Sequence, residues 1–166
     1  MESRRVPIMK AACAVGLVVL VDQTAKSAAA RAHAGMITPA RNPGYALGVL
    51  GGPAPLLILG TVLVLGVFLA VIGRWAVQVG ISPLIPAVIA GGMVANTIDR
   101  IRFGAVRDFL ATGWLIIDVA DLVVLGGIVA LVAALGLRVR QLRLESHTIA
   151  LDIATLCARV VPVDAV

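Results

Sequence analysis

Charged residues are scarce in this chain of 166 residues. They make up 14% of the sequence, whereas 60% of it is hydrophobic. The mean hydropathy of +1.04 lies well outside the balance of apolar and charged residues in soluble domains. A soluble globular fold is therefore excluded, and the composition predicts an integral membrane protein.

Cysteines and aromatic residues are also rare. Cys13 and Cys157 lie far apart, so they provide neither a disulfide framework nor the spacing of a metal site. The formal net charge of +5 could indicate a nucleic-acid partner, but aromatic residues make up only 4% of the chain and the basic residues flank apolar runs. This placement favours contact with anionic headgroups, so we expect membrane phospholipid, and no nucleic acid, as a partner.

Four apolar stretches approach the length of about 20 residues that a helix needs to cross the hydrocarbon core. They are residues 11–30, 54–72, 83–98 and 114–137. The third contains Pro86, Gly91 and Gly92, which a membrane helix tolerates where its neighbours satisfy the loosened backbone. We therefore expect the third span to pack inside a four-helix bundle formed by residues 1–140, with residues 141–166 as a cytoplasmic tail.

Basic residues at the ends of these stretches predict the orientation. The flanking residues are Arg4, Arg5 and Lys10 before the first stretch, and Arg138, Arg140 and Arg143 after the last. The positive-inside rule then places both termini in the cytoplasm. A cleavable signal peptide is an alternative for the first stretch, because "ARAHAG" follows its apolar run. Asp22 and Lys26 would make such a peptide unusually long and charged.

Ionisable side chains gather near the outward ends of three predicted helices. A charged residue at the centre of an isolated membrane helix costs about 2.5–3.5 kcal/mol, so these groups must face each other or water. Asp22 and Lys26, four residues apart, could form a structural ion pair, and Asp99 could pair with Arg100 or Arg102. Buried charge of this kind also indicates a functional site.

Two acids in "WLIIDVADLVVLGG" have no cation within their own helix. Asp118 and Asp121 are three residues apart and would share one helix face, where two carboxylates hold one proton between them. If the helix begins at Trp114, Asp121 lies about 10 Å from its outer end. One helix cannot easily aim two acids at the same substrate atom, so Asp108, in the preceding outward loop, is a candidate partner.

Five sequence blocks occur in a fixed order along the chain. They are "DQTAK" (22–26), "RNPGYALG" (41–48), "GGMVANTIDR" (91–100), "VRDF" (106–109) and "DVAD" (118–121). With these blocks on a four-span chain, residues 11–137 resemble the signal peptidase II family of bacterial prolipoprotein signal peptidases.

The resemblance implies both a fold and an activity. The fold is an all-α membrane protein, a four-transmembrane-helix bundle with a small outward-facing, β-like extracytoplasmic cap. The activity is that of an aspartic intramembrane endopeptidase that cleaves diacylglyceryl-modified prolipoproteins just before the lipid-modified cysteine. The enzyme would act as a monomer in the bacterial inner membrane, with its active site toward the outer leaflet and without a metal ion or other cofactor.

The resemblance also assigns residues. Its catalytic pair falls on Asp108 and Asp121. The supporting and substrate-binding positions are Asp22, Lys26, Asn42, Gly44, Asn96, Asp99, Arg100 and Asp118. For the segment around Asn42 and Gly44, an ordinary Asn-Pro-Gly turn without any ligand is an equally good explanation.

The chain departs from the family pattern at several positions. Asp118 stands where the family has asparagine, Ile117 where it has an aromatic residue, and Ala95 where it has glycine. Arg107 occupies an ordinarily apolar position. A third acid should raise the pKa of at least one of the three acids, or require a cation such as Arg107 or Arg100 to offset its charge. A catalytically altered or inactive relative is therefore an alternative.

Two other classes use buried acids. In a metal-dependent phosphotransferase, Mg²⁺ would bind Asp99, Asp108, Asp118 and Asp121. The Asp-Gly-Ala-Arg pattern of that class is absent from the sequence. In a small transporter or assembly subunit, the same charges would line a conduction path. That class predicts an internal repeat, which the sequence does not show.

Overall fold

The computed structural model of the chain describes residues 2–32, 35–44 and 52–160. Residues 45–48 of the "RNPGYALG" block and residues 161–166 of the predicted tail lie outside the described residues.

Helices dominate the fold. Helix α1 is Glu2–Ala29, α2 is Ala54–Val67, α3 is Arg74–Gln78, α4 is Leu84–Phe103 and α5 is Val119–Val160, and the π-helical segment Phe68–Gly73 joins α2 to α3. Among the described residues, four stretches are long and apolar enough to cross a membrane: Ile8–Ala29, Ala54–Gln78, Leu84–Phe103 and Val119–Cys157. The predicted four-span helical class is confirmed.

Helix α5, the fourth membrane-spanning stretch, begins later than the sequence indicated. It starts at Val119 rather than at Trp114, because residues 116 and 117 form a short strand and the Asp118 side chain binds the first turn. Asp121 therefore lies in the first turn of α5, and the predicted depth of about 10 Å is wrong. The helix has 42 residues and continues without a break past residue 140.

A small antiparallel sheet covers one end of the bundle. Its strands β1 (Ile37–Asn42), β2 (Val106–Ala111) and β3 (Ile116–Ile117) lie in the order β1-β2-β3. Gly104 ends α4 in the left-handed region, with φ 72°, and donates its N–H to the carbonyl of Arg100. The chain thereby passes from α4 into β2 within three residues, which places Asp108 opposite Ala40 of β1.

Helix α4 is the centre of the bundle, as the sequence predicted. Half of its membrane window is buried, against 17% or less for the other three spans. A Cβ atom on Gly91 would lie 2.8 Å from Val18 of α1, and one on Gly92 would lie 2.8 Å from the carbonyl oxygen of Ala120. These two glycines therefore let α1 and α5 approach α4 closely on two different faces.

At the end away from the sheet, Ala76 of α3 and Ile81 of the following connection pack with Ile89 of α4 and Leu131 of α5 in an apolar cluster. Arg138 donates from Nε to the carbonyl of Val79, just after the end of α3, over 2.8 Å. This bond satisfies a backbone group that the helix end leaves without an intrahelical partner.

We expect Gly92→Ala to lower the free energy of unfolding by about 1–3 kcal/mol, the cost of overpacking a well-packed interior. The backbone oxygen of Ala120 cannot move aside as a flexible side chain can. Thermal unfolding in detergent measures the effect. Gly126→Ala is the matched control, because nothing lies within 4 Å of its added methyl group. Equal melting temperatures for the two variants would contradict this packing.

Candidate active site

A buried lysine lies at the centre of the polar end of the bundle. Lys26 Nζ lies 2.8 Å from Asp22 Oδ2, 3.1 Å from Asp99 Oδ2 and 2.6 Å from Asp118 Oδ2. All four side chains are fully buried. A charge removed from water in this way requires close partners of opposite sign. The ion pairs therefore join α1, α4 and the start of α5 at one point.

Two of these carboxylates also position the start of α5. Asp118 Oδ1 accepts the N–H of Asp121 over 2.7 Å, and Asp22 Oδ1 accepts the N–H of Ala120 over 3.0 Å. The first N–H groups of a helix have no intrahelical acceptor, and carboxylates are favoured there. Asp118 is thus the N-cap of α5, and the helix starts where these acids bind it.

The expectation that Asp118 and Asp121 lie on one face of the same helix is therefore wrong, because Asp118 precedes α5 and caps it. Asp118 directs one oxygen to a backbone N–H and the other to Lys26. Lys26, rather than Arg107 or Arg100, is the cation in contact with Asp118, and Arg107 binds Asp99 in the same network.

Asp99 pairs with a residue that the sequence analysis did not assign to it. Arg107 donates its backbone N–H to Asp99 Oδ2 over 3.0 Å and its guanidinium to Asp99 Oδ1 over 2.7 Å. The predicted pairing of Asp99 with Arg100 or Arg102 is wrong. Arg100 instead donates to the carbonyl of Gly44 over 2.8 Å.

Gln23 belongs to this network and was missed. Its Nε2 donates to Asp99 Oδ1 over 2.9 Å, and its Oε1 accepts from Arg107 over 2.8 Å. An amide inside an apolar span, next to Asp22, was the available signal.

The two predicted catalytic acids come together from different elements. Asp108 lies in the middle of β2 and Asp121 in the first turn of α5. One carboxylate oxygen from each of Asp108, Asp118 and Asp121 lies within 4.8 Å of the others. Since Asp118 is bound to Lys26 and to the helix N-terminus, Asp108 and Asp121 are the two acids of this cluster that are able to act as a pair.

Each acid of the pair accepts a hydrogen bond from an asparagine. Asn42 Nδ2 donates to Asp108 Oδ2 over 3.0 Å, and Asn96 Nδ2 donates to Asp121 Oδ1 over 3.2 Å. The oxygen of each amide is already in use, because Asn42 Oδ1 accepts the N–H of Gly44 and Asn96 Oδ1 accepts from Lys26. An ammonium and a backbone N–H only donate, so both amide groups must point their NH₂ toward the acids.

The bond between Asn42 and Gly44 is an Asx-turn, which accounts for the Asn-Pro-Gly sequence. The same asparagine binds Asp108, so the turn and a place in the site are compatible at this position. The sequence had offered them as alternatives.

Burial raises the pKa of Asp108 to about 7, and the negative charges of Asp118 and Asp121 also raise it. The hydrogen bond from Asn42 and the positive charge of Lys26 act in the opposite direction. Its Oδ1 atom is buried and accepts no hydrogen bond from the described residues. Asp108 is therefore able to hold a proton near neutral pH and to direct it into the site.

Two cavities reach the pair. A cavity of about 640 Å³ borders Asp121 and is lined mainly by apolar residues of α2, α4 and α5. A smaller cavity of about 270 Å³ borders Asp108, between the end of α1 and the sheet. The site is thus accessible from two sides.

The acids do not form a favourable donor set for Mg²⁺. Asp99 is bound to Arg107 and Lys26, and both oxygens of Asp118 are engaged. The Lys26 ammonium adjoins the remaining acids and would repel a divalent cation.

The chain is similar to a known family over most of its length. Residues 14–137 match the family model described as signal peptidase (SPase) II. A lipoprotein signal peptidase of Syntrophus aciditrophicus is 33% identical over 150 residues, covering 76% of this chain and 91% of the relative. One of Methylobacterium sp. is 31% identical over 138 residues, covering 77% of this chain and 79% of the relative.

Coverage differs among the relatives. The lipoprotein signal peptidase of Moorella thermoacetica is 34% identical over 96 residues, and this chain spans 64% of its length. A solved structure of a bacterial membrane enzyme has a TM-score of 0.64 and 23% identity, covering 77% of this chain and 88% of that one, which shows the shared fold. The resemblance drawn from the five sequence blocks is confirmed, and the chain is a bacterial membrane protein that belongs to the signal peptidase II family.

Proposed function

We propose that this protein is an aspartic intramembrane endopeptidase that removes signal peptides from prolipoproteins. It would cleave diacylglyceryl-modified precursors just before the lipid-modified cysteine. The observation that carries the proposal is the convergence of Asp108 and Asp121, whose carboxylate oxygens lie within 4.8 Å and each of which accepts a hydrogen bond from an oriented asparagine.

The two acids have distinct roles in this mechanism. Asp121 takes a proton from water, and the water oxygen attacks the scissile carbonyl carbon. Asp108 donates its proton to the carbonyl oxygen, where negative charge develops. The C–N bond then breaks as Asp121 passes its proton to the leaving amine and Asp108 takes a proton back from one of the two hydroxyl groups, which re-forms a carbonyl and restores the acid pair. The pKa of about 7 for Asp108 supports its role as the proton donor.

The larger cavity supports an apolar substrate. It is lined by Val64 of α2, Met93 of α4 and Leu122, Leu125 and Ile128 of α5, and Asp121 borders it. A diacylglyceryl chain or the apolar part of a signal peptide would therefore lie against the acid pair with little exposure to water. In this proposal the cleaved bond lies next to the part of the substrate that remains in the membrane.

The orientation that follows has the sheet and the acid pair at the outer leaflet and both termini in the cytoplasm. The support is the distribution of charge along α5, where Arg138, Arg140 and Arg143 follow the apolar segment at the end opposite to Asp121. We propose that the enzyme acts as a monomer surrounded by phospholipid.

Asp108→Asn and Asp121→Asn, made separately, should each reduce cleavage of a diacylglyceryl-modified precursor at least about 100-fold, the usual contribution of a general acid or base. An asparagine neither takes nor delivers the required proton. Cleavage is measured with purified protein, and melting temperatures show whether each variant is folded. Asp152→Asn, an exposed acid of α5, is the matched control and should retain full activity. Normal cleavage by the Asp121→Asn variant would exclude the proposed site.

Cleavage should continue unchanged after treatment with EDTA and dialysis into metal-free buffer, because the mechanism uses only carboxylates and water. The measurement is the initial rate with and without added Mg²⁺. Loss of activity that Mg²⁺ restores would favour a metal-dependent enzyme.

The stability of the protein should depend on the ionisation of Asp108. Its pKa is about 7 in the folded chain, above its ordinary value of 3.8, so the folded state binds a proton in this window that the unfolded state has released. The free energy of unfolding therefore falls as pH rises from about 4 to about 7. Asp108→Asn should show a smaller fall in melting temperature across this window than the unaltered chain. Parallel curves for the two proteins would show that Asp108 does not titrate there.

A further inference from the structure

The Lys26 ammonium has more acceptors than protons. Its Nζ lies within 3.1 Å of an oxygen of Asp22, Asp99 and Asp118, and it also donates to Asn96 Oδ1 over 2.9 Å. An ammonium group has three N–H bonds, so four close acceptors cannot all be served at once. The longest of the four distances, 3.1 Å, is the one to Asp99.

Arg107 supplies Asp99 with the hydrogen bonds that Lys26 cannot. Its backbone N–H and its guanidinium both bind the Asp99 carboxylate, at 3.0 Å and 2.7 Å. Asp22, Asp99 and Asp118 face Lys26 and Arg107, which is three carboxylates against two cations and a net charge of −1. Without Arg107, the three carboxylates would have a single buried ammonium as their cation. A buried carboxylate without a cationic partner is strongly unfavourable.

We propose that Arg107 is a positioning residue for the catalytic pair, which acts by neutralising Asp99 so that the Lys26 ammonium remains on Asp118. Arg107 lines the smaller cavity, not the larger apolar one proposed for the substrate, and acts through its ion pair with Asp99. The requirement for Arg107 exists only because position 118 carries a charged carboxylate.

The effect reaches the catalytic pair through Asp118. Its Oδ1 binds the N–H of Asp121, so a displaced or protonated Asp118 loosens the turn that holds this acid. Its charge also lies close enough to Asp108 to raise the pKa of that group. The other charged groups near Asp108 are Asp121 of α5, Lys26 of α1, Arg41 of β1 and the adjacent Arg107, whose backbone N–H binds Asp99 of α4.

A double-mutant cycle tests the proposal. Arg107→Met keeps the length of the side chain and removes its charge, so the network becomes more negative by one unit. Asp118→Asn keeps an oxygen that is able to cap the helix and removes the carboxylate charge. The variant with both changes has two carboxylates against one cation and thus the same net charge as the unaltered network.

We expect Arg107→Met to lower kcat at neutral pH by about tenfold or more in the Asp118 background, and by less than about threefold in the Asp118→Asn background. KM should change little, because Arg107 does not line the larger apolar cavity proposed for the substrate. The pH–activity profile of the single Arg107→Met variant should shift toward higher pH, since a less neutralised Asp118 makes Asp108 hold its proton more tightly. A loss of packing alone would not shift the pH–activity profile, and its effect on kcat would not depend on the residue at position 118.

The matched control is Arg102→Met. Both arginines lie over the ring of Phe103, at 5.4 Å for Arg102 and 4.3 Å for Arg107, but the ion pair to Asp99 comes from Arg107. Arg102→Met should leave kcat and the pH profile unchanged. Arg107→Lys, which retains the charge, should keep most of the activity.

Equal losses of activity from Arg107→Met in both backgrounds, or no loss in either, would overturn the proposal. The activity measurements rest on the proposed function, whereas the melting temperature does not. The same double-mutant cycle is therefore measured by melting temperature in the Asp121→Asn protein. There, Asp118→Asn should restore the thermal stability that Arg107→Met removes. If the effects of Arg107→Met and Asp118→Asn on the melting temperature are additive, the coupling between the two residues is rejected, even in a protein that has no activity. If the two effects are coupled but the unaltered chain cleaves no precursor, only the peptidase function is rejected.

Discussion

The burial of one ammonium group determines the arrangement of the polar end of this protein. Lys26 lies inside a membrane helix with its side chain fully buried, so carboxylates from other elements must approach it. Asp22 lies in α1 itself, Asp99 lies in α4, and Asp118 immediately precedes α5. Meeting this requirement brings three segments of the chain to one point and places the start of α5 beside the end of α4. The position of Asp121 follows, because it lies in the first turn after Asp118.

The directions of the hydrogen bonds from Lys26 and Gly44 then position the acid pair. Lys26 can only donate, so Asn96 accepts from it and must present its NH₂ group to Asp121. On the sheet side, Gly44 donates to Asn42, which presents its NH₂ group to Asp108. Each acid is thus held by an amide whose orientation another donor has already determined. These hydrogen bonds keep one oxygen of each carboxylate, one from a strand and one from a helix, within 4.8 Å of the other.

The acid at position 118 shows how a change of charge is accommodated in such a site. An N-cap requires an oxygen that accepts an N–H, and a carboxylate meets that requirement as well as an amide does. The additional negative charge lies 2.6 Å from Lys26. Lys26 is available for it because Arg107 binds Asp99, another of the lysine's partners. A substitution that looked damaging in isolation is therefore compatible with the geometry of the pair.

Sequence alone determined the class of the protein, the number of spans, the central place of α4 and, through five ordered blocks, the family. These features depend on local composition and on motifs that can be read without knowing which residues meet. The start of α5 at Val119, the pairing of Lys26 with Asp118, the part played by Gln23 and the binding of Arg107 to Asp99 were decided by the tertiary structure. Hydropathy predicted the helix to begin at Trp114, and adjacency predicted Asp99 to pair with Arg100, because both methods consider only neighbours in the chain. In a buried site the choice of partner depends on which charges the packing of separate helices brings within reach, and that packing is not expressed in any one segment.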